Sequence, residues 1–134
     1  MNLFVDTSVW SLALRRNSPQ DGPEVNALVQ ALQRGDPIFT TGLVLQELLQ
    51  GFSGPNARES ILEKFSPLPL LAPDRRDHVA AAELRNTCRR GGVQIGTIDA
   101  LIAQLCVRYA SRLLTTDQDF VAAARLVPIK LWHA

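Results

Sequence analysis

Two apolar runs that each end in an aspartate decide the fold of this chain. Residues 3–6 read Leu-Phe-Val-Asp, and residues 113–117 read Leu-Leu-Thr-Thr-Asp. Such runs predict buried strands, and ligands of a parallel α/β sheet bind at the carboxyl ends of its strands. We therefore expect Asp6 and Asp117 to lie close together at one edge of one sheet.

Strand-like and helix-like segments alternate along the chain. Strands are predicted at residues 2–5, 38–41, 68–71, 112–115 and 128–132, and the surrounding prolines restrict 68–71 to a short or edge strand. Helices are predicted from a cap at Thr7 or Ser8 to about Arg16, from Pro23 to a stop at Gly35, and at residues 42–52, 56–65, 74–90, 98–109 and 117–125. This alternation predicts a three-layer α/β/α fold with a central, mostly parallel sheet of four or five strands.

The length and composition indicate one globular domain. The chain has 134 residues, of which 46% are apolar and 20% charged, and we expect a single domain over residues 1–134. Cys88 and Cys106 fall on the apolar sides of predicted helices and are expected to be reduced core thiols. The sequence shows no leader and no apolar stretch near 18 residues, so we expect a cytoplasmic protein without membrane contact.

Two further acidic residues are expected near this edge of the predicted sheet. Glu47 lies in the helix predicted at 42–52, and Asp99 opens the helix predicted at 98–109. Carboxylates that gather in one place repel one another, so the arrangement requires a cation to offset their charge. Because no soft ligand accompanies these oxygen donors, Mg²⁺ or Mn²⁺ is favoured over zinc. The pattern therefore predicts a metal-dependent enzyme that acts on phosphate esters.

Asp6 and Glu47 also have structural interpretations. Asp6 could cap the helix that follows it, but Thr7 and Ser8 can supply that cap, which favours a functional role for Asp6. Glu47 borders an apolar helical stripe, where a glutamate taken alone is usually solvated.

The same alternatives apply to the later acidic residues. Asp99 comes second after a predicted Thr97 cap, where the helix dipole favours a negative charge. Thr116 and Asp119 have the spacing of a capping-box variant, so Asp119 is predicted mainly as a helix cap and Asp117 as a site residue.

Four segments of the sequence closely resemble one known family. They read MNLFVDTSVW at 1–10, VLQELLQG at 44–51, TIDALIA at 97–103 and LLTTDQDF at 113–120. Each is weak alone, but the ordered set resembles the PIN-domain ribonucleases, and most closely the VapC-type toxins of bacterial toxin–antitoxin pairs. The resemblance spans the chain, although residues 53–75 carry no family pattern.

The resemblance implies both a set of site residues and an activity. It makes the four carboxylates the metal-binding and catalytic residues, and it matches Thr7 and Thr115 to hydroxyl positions near the site and Asp119 to a less regular acidic position. The implied reaction is hydrolysis of an RNA phosphodiester with one or two Mg²⁺ ions, by a toxin that blocks translation. The implied partners are a second copy of the chain and a small antitoxin whose tail occupies the groove.

RNA binding would also need cations beside the acidic pocket. The net charge is only +1, but 12 of the 14 basic residues are arginines, whose forked side chains suit phosphate. A GC-rich genome produces the same bias, and a charge run on a helix is usually a solvated face. The candidates are Arg15, Arg16, Arg85 and Arg89, followed by Arg75, Arg76 and Arg90.

Other classes of protein remain open from the residues alone. A phosphatase of the aspartyl-phosphate type has Asp-x-Asp after its first strand, whereas Asp6 is followed two positions on by Ser8. No histidine is placed to activate Ser8, which disfavours a serine hydrolase. A receiver domain needs an aspartate after a central strand, and the proline-rich segment 66–73 is a poor candidate. A binding module that kept the fold without activity is the remaining alternative.

Overall fold

The computed structural model describes residues 2–15 and 22–133. The strands in these ranges are β1 (Leu3–Val5), β2 (Ile38–Thr41), β3 (Leu70–Leu71), β4 (Arg112–Leu114) and β5 (Lys130–Leu131). The helices are α1 (Thr7–Leu14), α2 (Pro23–Arg34), α3 (Gly42–Gly51), α4 (Pro55–Phe65), α5 (Arg75–Arg90), α6 (Thr97–Arg108) and α7 (Gln118–Ala123). The predicted end of the first helix at Arg16 and most of the loop that follows it lie outside the described residues.

The five strands form one parallel sheet in the order β3-β2-β1-β4-β5. This arrangement confirms the predicted α/β fold with a central parallel sheet, and it places β3 at an edge as predicted. Strands β2 and β3 extend the sheet on one side of β1, and β4, which comes later in the sequence, lies on the other side of β1. The crevice between β1 and β4 is therefore the topological switch point, where ligands bind in open α/β sheets.

The register of β1 and β4 decides which side chains border this crevice. Val5, the last residue of β1, is paired with Leu114, the last residue of β4. Because both strands end at the same level, Asp6 and Thr115 emerge side by side at the carboxyl edge of the sheet.

The central strands are buried on both faces. Phe4, Val5, Leu113 and Leu114 have no exposed surface, as expected for central parallel strands covered by helices. Trp10 of α1 is also buried, and its ring centroid lies 4.7 Å from that of Phe65. Trp10 is therefore a packing residue of the core.

An ion pair between the buried Asp77 and the exposed Arg108 joins α5 to α6, the helix that carries Asp99. Asp77 accepts hydrogen bonds from the backbone N–H of Asp74, from the Gln104 amide and from the Arg108 guanidinium. Burial raises the pKa of Asp77, but these bonds and the positive charge of Arg108 outweigh burial and leave the pKa below its usual value. The pair therefore stays charged and fixes the packing of the two helices.

Both cysteines are buried and free, as predicted. Burial raises the pKa of each thiol, and the negative charge of Asp6 contributes further at Cys106. Both side chains are therefore neutral thiols at physiological pH.

No helix within residues 2–15 and 22–133 has the length and apolar character needed to cross a membrane.

Candidate active site

Asp6 is buried at the end of β1, where its carboxylate is held by two hydroxyl groups. It occupies the cap position of α1, yet its side chain accepts no backbone N–H of that helix. Instead, Oδ2 accepts hydrogen bonds from Ser8 Oγ at 2.7 Å and from Thr115 Oγ1 at 2.8 Å. The Asp6 side chain therefore does not cap α1, although the residue lies at the cap position. The predicted cap at Thr7 or Ser8 is also wrong, because both residues lie in the first turn of α1.

The two hydroxyls are themselves oriented by the loop between β4 and α7. Ser8 Oγ accepts the backbone N–H of Thr116 at 3.1 Å, and Thr115 Oγ1 accepts the backbone N–H of Asp117 at 3.0 Å. Since each oxygen accepts from the backbone, each hydroxyl hydrogen is left to donate to Asp6. The network fixes one face of the Asp6 carboxylate, and within the described chain its Oδ1 makes no hydrogen bond.

Sequence reasoning weighed Ser8 only as a helix cap or a nucleophile. Besides Asp6, its hydrogen-bond partners are Thr115 and Thr116, which lie 107 and 108 positions away along the chain. A hydroxyl two positions after the strand-ending aspartate was the available signal, but only the register of β1 with β4 shows what that hydroxyl contacts.

Asp117 follows β4 and caps α7, the role that the sequence had predicted for Asp119. The Asp117 Oδ1 accepts the backbone N–H of Asp119 at 2.9 Å. The prediction of Asp119 as the cap is wrong, because the helix begins at Gln118 and Asp119 lies inside it, with an exposed side chain. Since one oxygen of Asp117 serves as the cap, the other remains available to a ligand.

Glu47 projects from α3, the helix that follows β2. Thr41 ends β2 and caps this helix, because its hydroxyl accepts the backbone N–H of Leu43 at 3.0 Å and of Val44 at 3.3 Å. The exposed Glu47 side chain accepts a hydrogen bond from Thr7 Oγ1 through Oε1 at 3.0 Å. Glu47 is thus tied to the start of α1, next to Asp6, rather than extending freely into solvent.

Asp99 is the half-buried carboxylate of the group. The predicted cap at Thr97 is wrong, because Gly96 occupies the cap position and Thr97 is the first helical residue, which makes Asp99 the third. Burial and nearby negative charges raise the pKa of Asp99 to about 6. In decreasing order of effect, those charges belong to Asp6, Asp117, Glu47 and Asp119. The acidic side chains are therefore close enough to repel one another, although they come from four separate segments.

The chemistry of this group fits a hard divalent cation. All of its donors are carboxylate or hydroxyl oxygens, which Mg²⁺ and Mn²⁺ prefer. Among the described residues, no three acidic, histidine or cysteine side chains are arranged to hold a metal ion together. Burial and the neighbouring negative charges raise the pKa of Asp99, and a cation placed among these side chains would offset those charges.

The described arginines proposed for RNA binding have different surroundings, and Arg85 lines a cavity with Thr97 and Ile98, which precede Asp99 in the sequence. Arg85 donates from Nε to the backbone carbonyl of Ile95 at 2.9 Å, and Arg89 bonds Asn86 on its own helix. Arg15 lines a separate cavity together with Lys64. Arg16 lies outside the described residues, and the RNA-binding role of the arginines stays a prediction.

Residues 3–126 match the family described as the PIN domain. A curated protein, Ribonuclease VapC11 of Mycobacterium tuberculosis, is 28% identical over 130 residues, which are 96% of each chain. The solved structure of VapBC2 from Rickettsia felis, bound to a DNA fragment from its promoter, superimposes with a TM-score of 0.73 at 22% identity and covers 99% of this chain and all of its own. VapC20 of Mycobacterium tuberculosis, described as a sarcin-ricin loop cleaving toxin, has a TM-score of 0.67 at 19% identity, covering 95% and 98%.

Proposed function

Because this chain belongs to the PIN-domain family, we propose that it is a Mg²⁺-dependent endoribonuclease, with Mn²⁺ as an alternative ion. The single observation that best supports the proposal is the hydrogen-bonded unit at the switch point, where Ser8 and Thr115 hold the Asp6 carboxylate beside Asp117. The proposed catalytic and metal-binding side chains are Asp6, Glu47, Asp99 and Asp117.

The hydroxyl-bearing residues would act by positioning. Ser8 and Thr115 hold Asp6 in one orientation through its Oδ2, so its other oxygen needs no rearrangement to bind a ligand. Thr7 plays the same part for Glu47. Such preorganisation matters because a carboxylate that must be reoriented during the reaction stabilises developing charge less well.

The four carboxylates would hold the ion and orient the attacking water. When bound there, Mg²⁺ or Mn²⁺ supplies a more acidic water and offsets the negative charge that develops on the phosphate. A bound cation would stabilise the ionised form of Asp99, which the neighbouring carboxylates disfavour. Asp119, exposed in the first turn of α7, is proposed as a secondary member of the site.

We further propose that the protein is the toxin of a toxin–antitoxin pair that blocks translation in the cytoplasm. Its similarity to a VapC ribonuclease along nearly the whole chain supports this role. We propose a second copy of the chain and a small antitoxin as its protein partners. Two adjoining cavities of about 400 and 500 Å³ share Leu43, His78 and Leu101, and these apolar depressions on the surface support contact with another protein.

RNA cleavage by the purified protein, freed of any antitoxin, tests the proposed activity. We expect the protein to cleave single-stranded RNA in Mg²⁺ or Mn²⁺ and to be inactive in EDTA, with activity restored when Mg²⁺ is added in excess. Analysis of the products on a denaturing gel provides the measurement. Equal cleavage in EDTA and in Mg²⁺ would contradict the metal-dependent mechanism.

A further inference from the structure

A cavity of about 370 Å³ lies directly beside the acidic group, at the carboxyl ends of β4 and β5. Thr115 belongs to both places: its side chain holds Asp6, and the residue also forms part of the cavity wall. A group bound in the cavity would therefore be separated from the Asp6 carboxylate only by Thr115. The cavity is also lined by Glu24, Thr116, Gln118 and Trp132.

The lining of this cavity suits a flat, neutral ring better than a phosphate. Trp132 presents a half-buried indole, and the half-buried Leu131 and Val121 complete an apolar surface. The described lining residues include one histidine, His133, but no lysine or arginine, and the Glu24 carboxylate would repel a phosphate. Aromatic side chains in such surroundings stack on unpaired nucleobases, each of which offers an aromatic face.

The polar residues of the cavity can also distinguish between bases. Glu24 can only accept hydrogen bonds when ionised, whereas the Gln118 amide and the Thr116 hydroxyl can both donate and accept. A carboxylate acceptor favours a base with an exocyclic amino group, which cytosine, adenine and guanine have and uracil lacks.

We propose that this cavity is a nucleobase subsite, which stacks one unpaired base of the RNA on Trp132 and selects amino-bearing bases through Glu24. The inference rests on the proposed ribonuclease function and adds to it the choice of the nucleotide next to the cleaved bond. Because the cavity is separate from the four carboxylates, its occupation can be measured without metal and without cleavage.

Intrinsic fluorescence tests the stacking directly. The chain has two tryptophans, and Trp10 is fully buried, so an RNA base can stack only on Trp132. We would titrate the Asp6→Asn variant in EDTA with short oligomers of cytidine, adenosine or uridine, and follow binding in parallel by the anisotropy of a labelled oligomer. The expected result is that cytidine and adenosine oligomers quench the emission and that uridine oligomers bind about tenfold more weakly.

The matched variants separate stacking from loss of structure. Adding Trp132→Phe should abolish the quenching while the anisotropy still reports binding, because phenylalanine also stacks. Adding Trp132→Ala should weaken binding by roughly tenfold. Glu24→Gln should remove the preference over uridine, whereas Glu63→Gln, an exposed glutamate on α4, should preserve it.

The outcomes also separate this inference from the function on which it rests. Binding without quenching, quenching that persists in the Trp132→Phe variant, or no binding of any oligomer would each overturn the subsite. If any of these occurred while wild type cleaved RNA in Mg²⁺, the ribonuclease function would stand without the subsite. If wild type cleaved no RNA but the predicted quenching appeared, the subsite would stand as an RNA-binding site and the catalytic proposal would fail.

Discussion

The Asp6→Asn variant should lose RNA cleavage by more than about a hundredfold while keeping its fold. Mutating a partner that only orients a metal ligand costs 10- to 100-fold, so removing a charged ligand should cost at least the upper part of that range. The fold should survive because asparagine has nearly the same size and retains one carbonyl oxygen, which can accept from Ser8 and Thr115. Initial cleavage rates in Mg²⁺ and circular dichroism provide the two measurements.

Asp36→Asn is the matched control for this prediction. Asp36 precedes β2 and therefore lies near the amino edge of the sheet, opposite the proposed site. Its substitution should leave the cleavage rate unchanged. If Asp6→Asn cleaved within a few fold of wild type, or if Asp36→Asn lost as much activity, the proposed role of Asp6 would be wrong.

Induction of the wild-type chain alone in a bacterium should halt growth, and induction of the Glu47→Gln variant should not. The substitution removes one proposed metal-binding charge, but it preserves an oxygen that can accept from Thr7. Glu47 is exposed, so the change should not disturb the core. Optical density and colony counts after induction, at matched protein levels, provide the measurement.

The growth experiment also needs a matched control. Glu63→Gln makes the same chemical change at another exposed helical glutamate and should arrest growth as wild type does. If wild type, Glu47→Gln and Glu63→Gln slowed growth equally, the effect would be a burden of overexpression and the toxin proposal would fail.

The sequence could predict the neighbourhood of the site because the rule behind that prediction is topological. Apolar runs ending in Asp6 and Asp117 indicated buried parallel strands, and such strands bring their carboxyl ends to one edge. The positions of Asp99 and Glu47 were predicted from helices that begin at or near that edge. These inferences needed element types and chain order, but no accurate boundary.

The predicted helix caps were wrong because a cap depends on the backbone conformation of a single residue. The predictions at Thr97 and Asp119 were displaced by one and two positions, to Gly96 and Asp117. Each predicted side chain can accept a backbone N–H at the helix start or leave that N–H to a neighbouring residue, so the sequence alone does not choose between them.

The hydroxyl network and the ion pair between α5 and α6 could not be predicted for a different reason. Thr7 meets Glu47 across 40 positions, and Arg108 meets Asp77 across 31. Nothing in the local pattern of either residue marks its partner, because the contact exists only once the sheet register and helix packing are set. Long-range polar contacts of this kind decide how the carboxylates are oriented.

The Mg²⁺-induced shift in melting temperature tests most directly whether the four carboxylates share one metal site. Metal that binds only the folded protein should stabilise wild type by about 1.4 kcal/mol at ten times Kd, which corresponds to a rise of a few degrees for a chain of this size. Without metal above pH 6, Asp99 is ionised among like charges, and its raised pKa means that this destabilises the folded state. The destabilisation should be lost as the pH falls below about 4, where Asp99 is protonated in both the folded and unfolded states.

The decisive comparison is a set of thermal melts in EDTA and in Mg²⁺ at pH 7.5. In EDTA, Asp99→Asn should melt no lower than wild type, because the substitution relieves repulsion. In Mg²⁺, wild type and Asp36→Asn should rise by a few degrees, and single Asn or Gln variants of the four carboxylates should lose most of that rise. Equal Mg²⁺ shifts in wild type and in all four variants would show that these carboxylates do not form a common metal site.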